Sequence, residues 1–294
     1  NITPVKAKNI QWDMNINFTS LQNEVVSLPG NVAEYYNSDT WLYGNVRASA
    51  MAPNQMTFYP NLSYVTTRGE GKTTALAGYG YLRNNRGQIL ISPSTGLPVS
   101  NPVFLPIGDR NPDFTIGFQN SVRFKDWSLS VLLDIRKGGD VFNGNEMYMF
   151  RNGLSTRSLD RLTPYVFQGV LRDGRENSDS PTPNNIQITP QFRSDYYAAF
   201  AEESFVERDI NWVRLRDITL RYTFPQAFLN KQKVFRSGSV FLSGNELFLL
   251  TNYTGADPDV NGTSAGTLGI GARGFDYGTL ALPRTMTLGL NFSF

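Results

Sequence analysis

A strict two-residue alternation of apolar and polar side chains is the sequence feature that most constrains the fold. In RTMTLGLNFSF, residues 284–294, every second position is apolar: Met286, Leu288, Leu290, Phe292 and Phe294. This period places the apolar residues on one face of a β-strand, whereas a helix would scatter them around its axis. The segment therefore predicts a strand with one apolar and one polar face.

A predicted hairpin repeats the pattern in FTIGFQNSVRFKDWSLSVLLDIR, residues 114–136. If Lys125 and Asp126 form a two-residue turn, Phe124 lies opposite Trp127 and both apolar series share one face. Each arm has about the ten residues that a tilted transmembrane strand needs. The hairpin therefore suits the wall of a membrane barrel.

The polar face gives the reason to prefer a barrel to a soluble sandwich. In IQWDMNINF, residues 10–18, four consecutive polar side chains share the face opposite Trp12. Such a row is costly in a dry core and inexpensive in a wet barrel lumen. In this register Arg123, Asp134 and Arg136 face the lumen, as solute contacts or as structural ion pairs. Aromatic residues at strand ends are predicted to lie at the membrane interface: Trp12, Phe124, Trp127 and Phe292.

Six strands are predicted in all, over residues 10–18, 114–124, 127–135, 212–224, 238–250 and 284–294. A bulge near Arg216 and Asp217 would reconcile two apolar phases in the fourth strand, and the fifth has mixed faces. Short turns alternate with long connections at about 19–113, 136–211 and 251–283, as in outer-membrane barrels. Six strands do not close a barrel, so we expect the chain to be a piece of a larger one.

The amino-acid composition disfavours an enzymatic function. The chain has 27 Lys+Arg, 25 Asp+Glu and neither His nor Cys. Near neutrality disfavours nucleic-acid binding, and the missing His and Cys remove imidazole bases, thiol chemistry and the usual zinc sites. No cofactor or metal is predicted, and the chain is not expected to be an enzyme.

Two loop motifs have functional and structural interpretations. DPDVNG offers Asp257, Asp259 and Asn261 at calcium-loop spacing, but Leu268 stands where a bidentate Glu is needed, which favours a plain turn. The carboxylates Glu202, Glu203, Glu207 and Asp209 resemble a glycosidase pair only loosely, and a solvated loop is preferred.

Several segments, taken in order, resemble the C-terminal part of SusC/RagA-like TonB-dependent transporters of the Bacteroidetes outer membrane. They are YLRNNRGQIL, IGDRNPDFTIGFQNSVRFKDWSLSVLLDIRKGGDVFN, FVERDINWVRLRDITLRYTFP, FLSGNELFLLTNYTGADPDVN and FDYGTLALPRTMTLGLNFSF. The resemblance covers most of residues 79–294 and is weaker over the first 78 residues.

The resemblance implies an all-β fold, in which residues 1–294 supply about six C-terminal strands of a 22-stranded antiparallel transmembrane barrel, without its plug domain and N-terminal strands. It implies a multi-pass outer-membrane location and import of oligosaccharides or peptides under a SusD-like lipoprotein lid. TonB would act through the absent N-terminal part. Phe294 resembles the terminal aromatic that the barrel-assembly machinery reads.

Two other functions remain open from the sequence. A soluble all-β carbohydrate-binding or adhesin module would also be rich in aromatic residues and Asn. An outer-membrane hydrolase would need a base other than His. The loop aromatic residues would suit sugar or peptide equally: Tyr35, Tyr36, Trp41, Tyr165, Tyr196 and Tyr197.

Overall fold

The fold is mainly antiparallel β-structure, in a computed structural model that describes residues 1–22, 34–36, 47–51, 75–232, 234–260 and 274–294. The strands are β1 Ile2–Ala7, β2 Ile10–Thr19, β3 Glu34–Tyr36, β4 Arg47–Met51, β5 Ala75–Tyr81, β6 Leu90–Ile91, β7 Ser100–Asp109, β8 Phe114–Phe124, β9 Trp127–Lys137, β10 Val141–Asn143, β11 Val170–Leu171, β12 Val206–Glu207, β13 Trp212–Thr223, β14 Ser237–Thr251, β15 Phe275–Asp276 and β16 Thr285–Ser293. Two α-helices accompany them, α1 Gly144–Arg151 and α2 Gln226–Gln232.

The largest sheet has seven strands in the order β1-β2-β8-β9-β13-β14-β16. It contains all six predicted strands, with ends that differ by at most two residues. The seventh is β1, which was not among the predicted strands and pairs antiparallel with β2. The all-β antiparallel prediction is therefore confirmed.

The two short turns of this sheet are tight and touch each other. Phe124 pairs with Trp127 across the predicted Lys125–Asp126 turn, in which Lys125 has a positive φ of 52°. The Lys125 N–H donates to the carbonyl of Asn9, in the turn between β1 and β2, at 2.8 Å. The third connection at this end, after Pro225, contains α2, which the sequence analysis did not anticipate.

The predicted bulge in β13 is present. The pairing of β13 with β9 shifts register between Leu215 and Asp217, and so does its pairing with β14. On β14 the extra residue lies beside Glu246, whose φ of 53° is in the left-handed region. The faces of that strand looked mixed in the sequence because its inner face also carries apolar residues. Leu249 packs against the buried cluster that contains Trp212 and Tyr253, whereas Phe248 and Leu250 are exposed.

The long connections all leave from the opposite end of the sheet, and their described parts are folded there. They form a four-stranded sheet β3-β4-β5-β7, a three-stranded sheet β12-β10-β15 and the pair β11-β6. Among the described residues, their main core consists of Leu76, Ile91, Leu97, Ile107, Phe142, Met147, Phe150, Phe167, Ile188, Tyr196, Phe205, Val206 and Phe275.

The seven-stranded sheet has an exposed apolar face. Large apolar side chains that are at least two-fifths exposed occur on all seven of its strands: Ile2, Ile16, Phe18, Phe124, Trp127, Leu220, Leu242, Phe248, Leu250, Met286, Leu288, Leu290 and Phe292. In the described part of the chain, no helix has the length and hydropathy of a membrane span.

Candidate functional site

The polar face of the sheet carries a hydrogen-bonded row near the turn end. Arg123 donates to Gln11 at 2.8 Å, and Gln11 donates to Asp13 at 2.7 Å. Thr3 donates to the other oxygen of Asp13 at 2.7 Å. Thr3, Gln11, Asp13 and Arg123 therefore form one hydrogen-bonded row across β1, β2 and β8.

A larger cluster lies at the loop end of the same face, and we call it the arginine network. It consists of two arginines of β13 and four carboxylates: Arg214, Arg216, Asp134, Glu246, Asp257 and Asp259. Asp134 comes from β9, Glu246 from β14, and both remaining Asp residues from the connection after β14. The network therefore ties three strands of the wall to one long connection.

Arg214 holds the inner half of the network. Its Nη1 lies 3.0 Å from Glu246 Oε2 and 3.0 Å from Asp257 Oδ2, and its Nη2 donates to Asp257 Oδ1. The Arg214 side chain is 2% exposed and that of Asp257 is 5% exposed. Such a bidentate, charge-assisted pair is the strong kind of ion pair, because its geometry is fixed and water is excluded.

Arg216 holds the outer half. Its Nη2 lies 2.7 Å from Asp134 Oδ2 and 2.8 Å from Asp259 Oδ2, while its Nη1 lies 3.0 Å from Glu246 Oε1. Glu246 therefore bridges the two guanidinium groups. Neither arginine was predicted as a site residue, although their i, i+2 spacing on one strand was a signal for a shared face.

Burial and hydrogen bonding act in opposite directions on Asp257. Burial alone would raise the pKa of this carboxyl, but hydrogen bonds from Arg214 and from the Asp259 N–H, with the positive charge of Arg214, hold it below its ordinary value. Asp257 is therefore ionised when paired, and its charge is part of what closes this connection onto the wall.

The three predicted lumen residues lie in three different settings. Asp134 belongs to the arginine network, whereas Arg123 is in the row near the turns. Arg136 is 4% exposed, donates to the carbonyls of Gly138 and Arg110, and lies over the ring of Trp212 at 4.8 Å. All three have structural partners, which was one of the two roles predicted; direct solute contact stays a prediction.

The calcium interpretation of DPDVNG gains no support. The carboxylates of Asp257 and Asp259 are held by arginine, which competes with any cation. Among the described residues no cluster of His, Cys, Asp or Glu could hold a metal ion. Asn261 and Leu268 lie outside the described part.

The four carboxylates before β13 do not form a catalytic pair, because each has its own partner. Glu203 pairs with Arg83, Glu207 accepts from Asn143 and Thr254, and Asp209 pairs with Lys137. The preference for a solvated loop is correct for Asp209, which is exposed.

For Glu202 the solvated-loop prediction is wrong. Its side chain is 3% exposed and accepts a hydrogen bond from the Tyr79 N–H at 2.8 Å, because the 3-10 helix Glu202–Phe205 packs against β5. Burial raises the pKa of Glu202 to about 7, in spite of the hydrogen bond from Tyr79.

The loop aromatic residues are partly structural. Tyr196 is 8% exposed and its ring lies 5.8 Å from Phe167 and 5.2 Å from Phe200, so it belongs to the core and not to a stacking surface. Tyr165 is 40% exposed and Tyr197 is half-buried against Phe150. Trp41 lies outside the described residues, and only the backbone of Tyr35 and Tyr36, in β3, is described.

The predicted interface aromatics lie at the turn end of the sheet. Phe124 and Trp127 flank the hairpin turn and are 49% and 48% exposed, and the Trp127 ring lies 4.8 Å from Tyr222. Phe292 lies 4.6 Å from Phe235, which also contacts the terminal Phe294 at 5.3 Å.

Trp12, the fourth predicted interface aromatic, also makes a hydrogen bond on the exposed face of the sheet. Its indole N–H donates to the Asn120 side chain at 3.2 Å. Asn120 thereby finds a partner in the middle of a strand whose exposed face is otherwise apolar.

The sequence of the chain is similar to those of several TonB-dependent receptors. No family model matches the chain. The chain is 29% identical over 192 residues to TonB-dependent receptor P3 of Formosa agariphila, covering 64% of this chain and 17% of the receptor. It is 23% identical over 306 residues to TonB-dependent receptor P26 of the same organism, covering 100% of this chain and 28% of that receptor.

Solved structures agree in fold. The chain superposes on a structure of the RagAB peptide transporter with a TM-score of 0.55 and 17% identity, over 99% of this chain and 28% of that one. The RagAB peptide importer in its open-open state gives a TM-score of 0.58 and 15% identity, over 99% and 27%.

These matches confirm that the chain resembles a piece of a SusC/RagA-like TonB-dependent receptor and has the fold of a segment of such a barrel. The chain spans less than a third of the length of these relatives. The matched proteins are named as receptors and transporters, in agreement with the prediction that the chain is not an enzyme.

Proposed function

From this similarity to TonB-dependent receptors, we propose that the chain is the C-terminal part of an outer-membrane transporter that imports oligosaccharides or peptides. Its seven-stranded sheet forms about a third of a 22-stranded wall that crosses the membrane several times. The plug and the TonB-contacting segment lie in the rest of the protein. The observation that carries this proposal is the seven-stranded sheet with one exposed apolar face and one hydrogen-bonded polar face.

The apolar face supports a lipid environment. A monomeric soluble protein rarely exposes a continuous apolar surface across seven strands, because the hydrophobic effect would drive it to associate. Lipid is the solvent in which such a face is stable, and the opposite face, with Arg123 and Asp13, suits a wet lumen. This contrast disfavours the soluble adhesin or sugar-binding module.

The edges of the sheet support its membership of a larger barrel. In the described part, β1 pairs only with β2 and β16 pairs only with β14. Unpaired N–H and C=O groups at a sheet edge are too costly inside a bilayer, so a membrane sheet must close on itself. Further strands from the remainder of the protein would complete that closure.

The folded connections at one end of the sheet would form the extracellular mouth. Asymmetry between short turns and long connections is the rule in outer-membrane barrels, whose long loops face outward. In this orientation the loops present the rim on which a SusD-like lipoprotein lid would dock and the vestibule in which solute is captured.

The test uses the intact protein in its native outer membrane. We expect the full-length chain to run as a folded barrel without heating, to shift on boiling and to co-purify with a lipoprotein. Deletion of its gene should abolish uptake of labelled peptides or labelled oligosaccharides, and the class that is lost identifies the cargo. Restoration by the wild-type gene is the control. A detergent-independent protein of about the mass of this chain alone, with uptake of both classes intact in the deletion strain, would refute the proposal.

A further inference from the structure

A cavity of about 520 Å³ lies in the folded connections, away from the arginine network. It is formed between the C-terminal end of α1 and the turn around the 3-10 helix Pro190–Phe192. Its lining residues are Arg151, Asn152, Gly153, Arg161, Pro190, Gln191, Phe192, Arg193, Ser194 and Tyr197. We call it the loop cavity.

The charge of the loop cavity is its distinguishing property. Three arginines line it and no lining residue is acidic, in a chain whose formal net charge is only +2. Like charges around one cavity repel each other, and a bound anion would relieve that repulsion. The chemistry of this cavity therefore points to an anionic ligand.

Two of the three arginines are available for such a ligand. Arg193 is already neutralised by Asp195, with Nε and Nη2 donating at 2.9 Å and 2.7 Å. Among the residues that the structure describes, Arg151 and Arg161 form no ion pair within 4.0 Å. Arg151 makes one long hydrogen bond, 3.4 Å, to the carbonyl of Phe200.

The remaining lining gives the cavity both polar and apolar contacts. The Gln191 side chain can donate or accept hydrogen bonds. Phe192 is 79% exposed at the rim and offers a ring face beside the charges. A planar carboxylate matches the forked donors of guanidinium groups, and the ring would cover the carbon skeleton that carries it.

We propose that the loop cavity binds the carboxylate groups of the imported solute, so that the transporter prefers acidic cargo. This inference rests on the proposed import function and adds the chemical class of its solute. Carboxylates occur both in acidic peptides and in uronic-acid oligosaccharides, and the two sources are separated by experiment.

Binding is measured on the full-length transporter purified with its lipoprotein. One pair of probes is a short peptide with free carboxylates and the same peptide fully amidated. The other is an oligogalacturonate and its methyl ester. The variants are Arg151→Gln and Arg161→Gln, with Arg175→Gln as the matched control, because Arg175 is an exposed arginine of the same long connection that does not line the cavity.

We expect at least one acidic probe to bind more tightly than its neutral form. Arg151→Gln and Arg161→Gln should each weaken the acidic probe by about tenfold, the usual value of one charge-assisted contact. Neutral forms and the Arg175→Gln control should be unchanged, and added salt should weaken only the acidic probes. The boiling shift of each variant confirms that its barrel is folded.

Equal binding of acidic and neutral probes, or unchanged acidic binding in both cavity variants, would overturn the inference. If uptake of neutral solutes still required the gene, only the preference for acidic cargo would be wrong and the proposed import function would be retained. If uptake of every probe were the same with and without the gene, the proposed import function itself would be wrong.

Discussion

The Arg214–Asp257 pair offers the sharpest test of how the connection after β14 is held to the barrel wall. Replacing Asp257 by Asn keeps the shape of the side chain and removes its charge. Arg214, 2% exposed, would then retain only Glu246 as an ionic partner at 3.0 Å. Removing one partner of a buried ion pair costs about 3–5 kcal/mol, and we expect the lower end because Glu246 remains.

This cost should appear as local opening, because the pair fastens one connection and not the whole sheet. The Asp259 N–H donates to Asp257 Oδ1 at 2.9 Å, so its exchange with solvent reports directly on the closed state. A loss of about 3 kcal/mol corresponds to roughly a hundredfold loss of protection. Hydrogen exchange of the full-length protein in detergent measures it, in peptides that cover residues 252–260.

The matched control is Asp179→Asn. The Asp179 carboxylate lies 3.6 Å from Arg86 and is fully exposed, so this pair should contribute about 0–1 kcal/mol. The pH dependence of amide protection in the wild-type protein tests the same ion pair. Because the folded pKa of Asp257 is lowered, its contribution is complete above the ordinary Asp value of 3.8 and is lost as the pH falls through the lower folded value. Equal protection in Asp257→Asn and Asp179→Asn would refute the reasoning.

Three further predictions concern other parts of the chain. Glu202→Gln should stabilise the protein by about 3 kcal/mol at pH 8.5 and leave its stability unchanged at about pH 4. Because the folded pKa of Glu202 is raised to about 7, wild-type stability falls as the pH rises from the ordinary Glu value through 7. Thermal unfolding at the two pH values measures this difference, and equal shifts at both would contradict it. Trp12→Phe should lower stability by about 1–2 kcal/mol, because the Asn120 side-chain oxygen loses its hydrogen-bond donor. The control Trp127→Phe keeps the ring contact with Tyr222 and should lower stability less. The temperature at which each variant shifts from the folded to the unfolded band on a gel compares the two. Phe294→Ala should slow the appearance of the folded, heat-modifiable barrel in a pulse-chase experiment. Phe18 is also an exposed aromatic residue, and Phe18→Ala should leave the rate unchanged. Equal rates in the two variants would contradict a role of Phe294 in barrel assembly.

Sequence alternation was sufficient for the wall because the side-chain period of a strand is fixed. A one-residue slip would move every apolar side chain to the other face, so the two-residue turn and the parity change across Lys125 and Asp126 together placed Phe124 opposite Trp127. The same logic located the bulge near Arg216. It failed for α2, because a seven-residue helix in a turn has no period long enough to stand out.

The loop contacts could not be predicted in the same way. Glu202 is buried because β5, more than a hundred residues earlier, supplies the Tyr79 N–H. Tyr196 is in a core built from several separate segments. Contacts of this kind depend on tertiary packing between connections that have no repeating pattern, so single-sequence reasoning assigned these residues to solvent or solute.

The arginine network also explains why the wall has bulges where it does. Trp212, Arg214 and Arg216 alternate on the polar face, and without an extra residue Asp217 would then point to the apolar face and Ile218 inward. Asp217 instead accepts from Thr219, at 3.3 Å, so two consecutive residues share the polar side. The matching extra residue on β14 brings Glu246 to both guanidinium groups. A wall without these bulges would separate the arginines from Glu246 or place Asp217 on the exposed apolar face. The bulges therefore let one strand be apolar outside near the turns and charged inside near the loops, where the connection carrying Asp257 and Asp259 closes onto it.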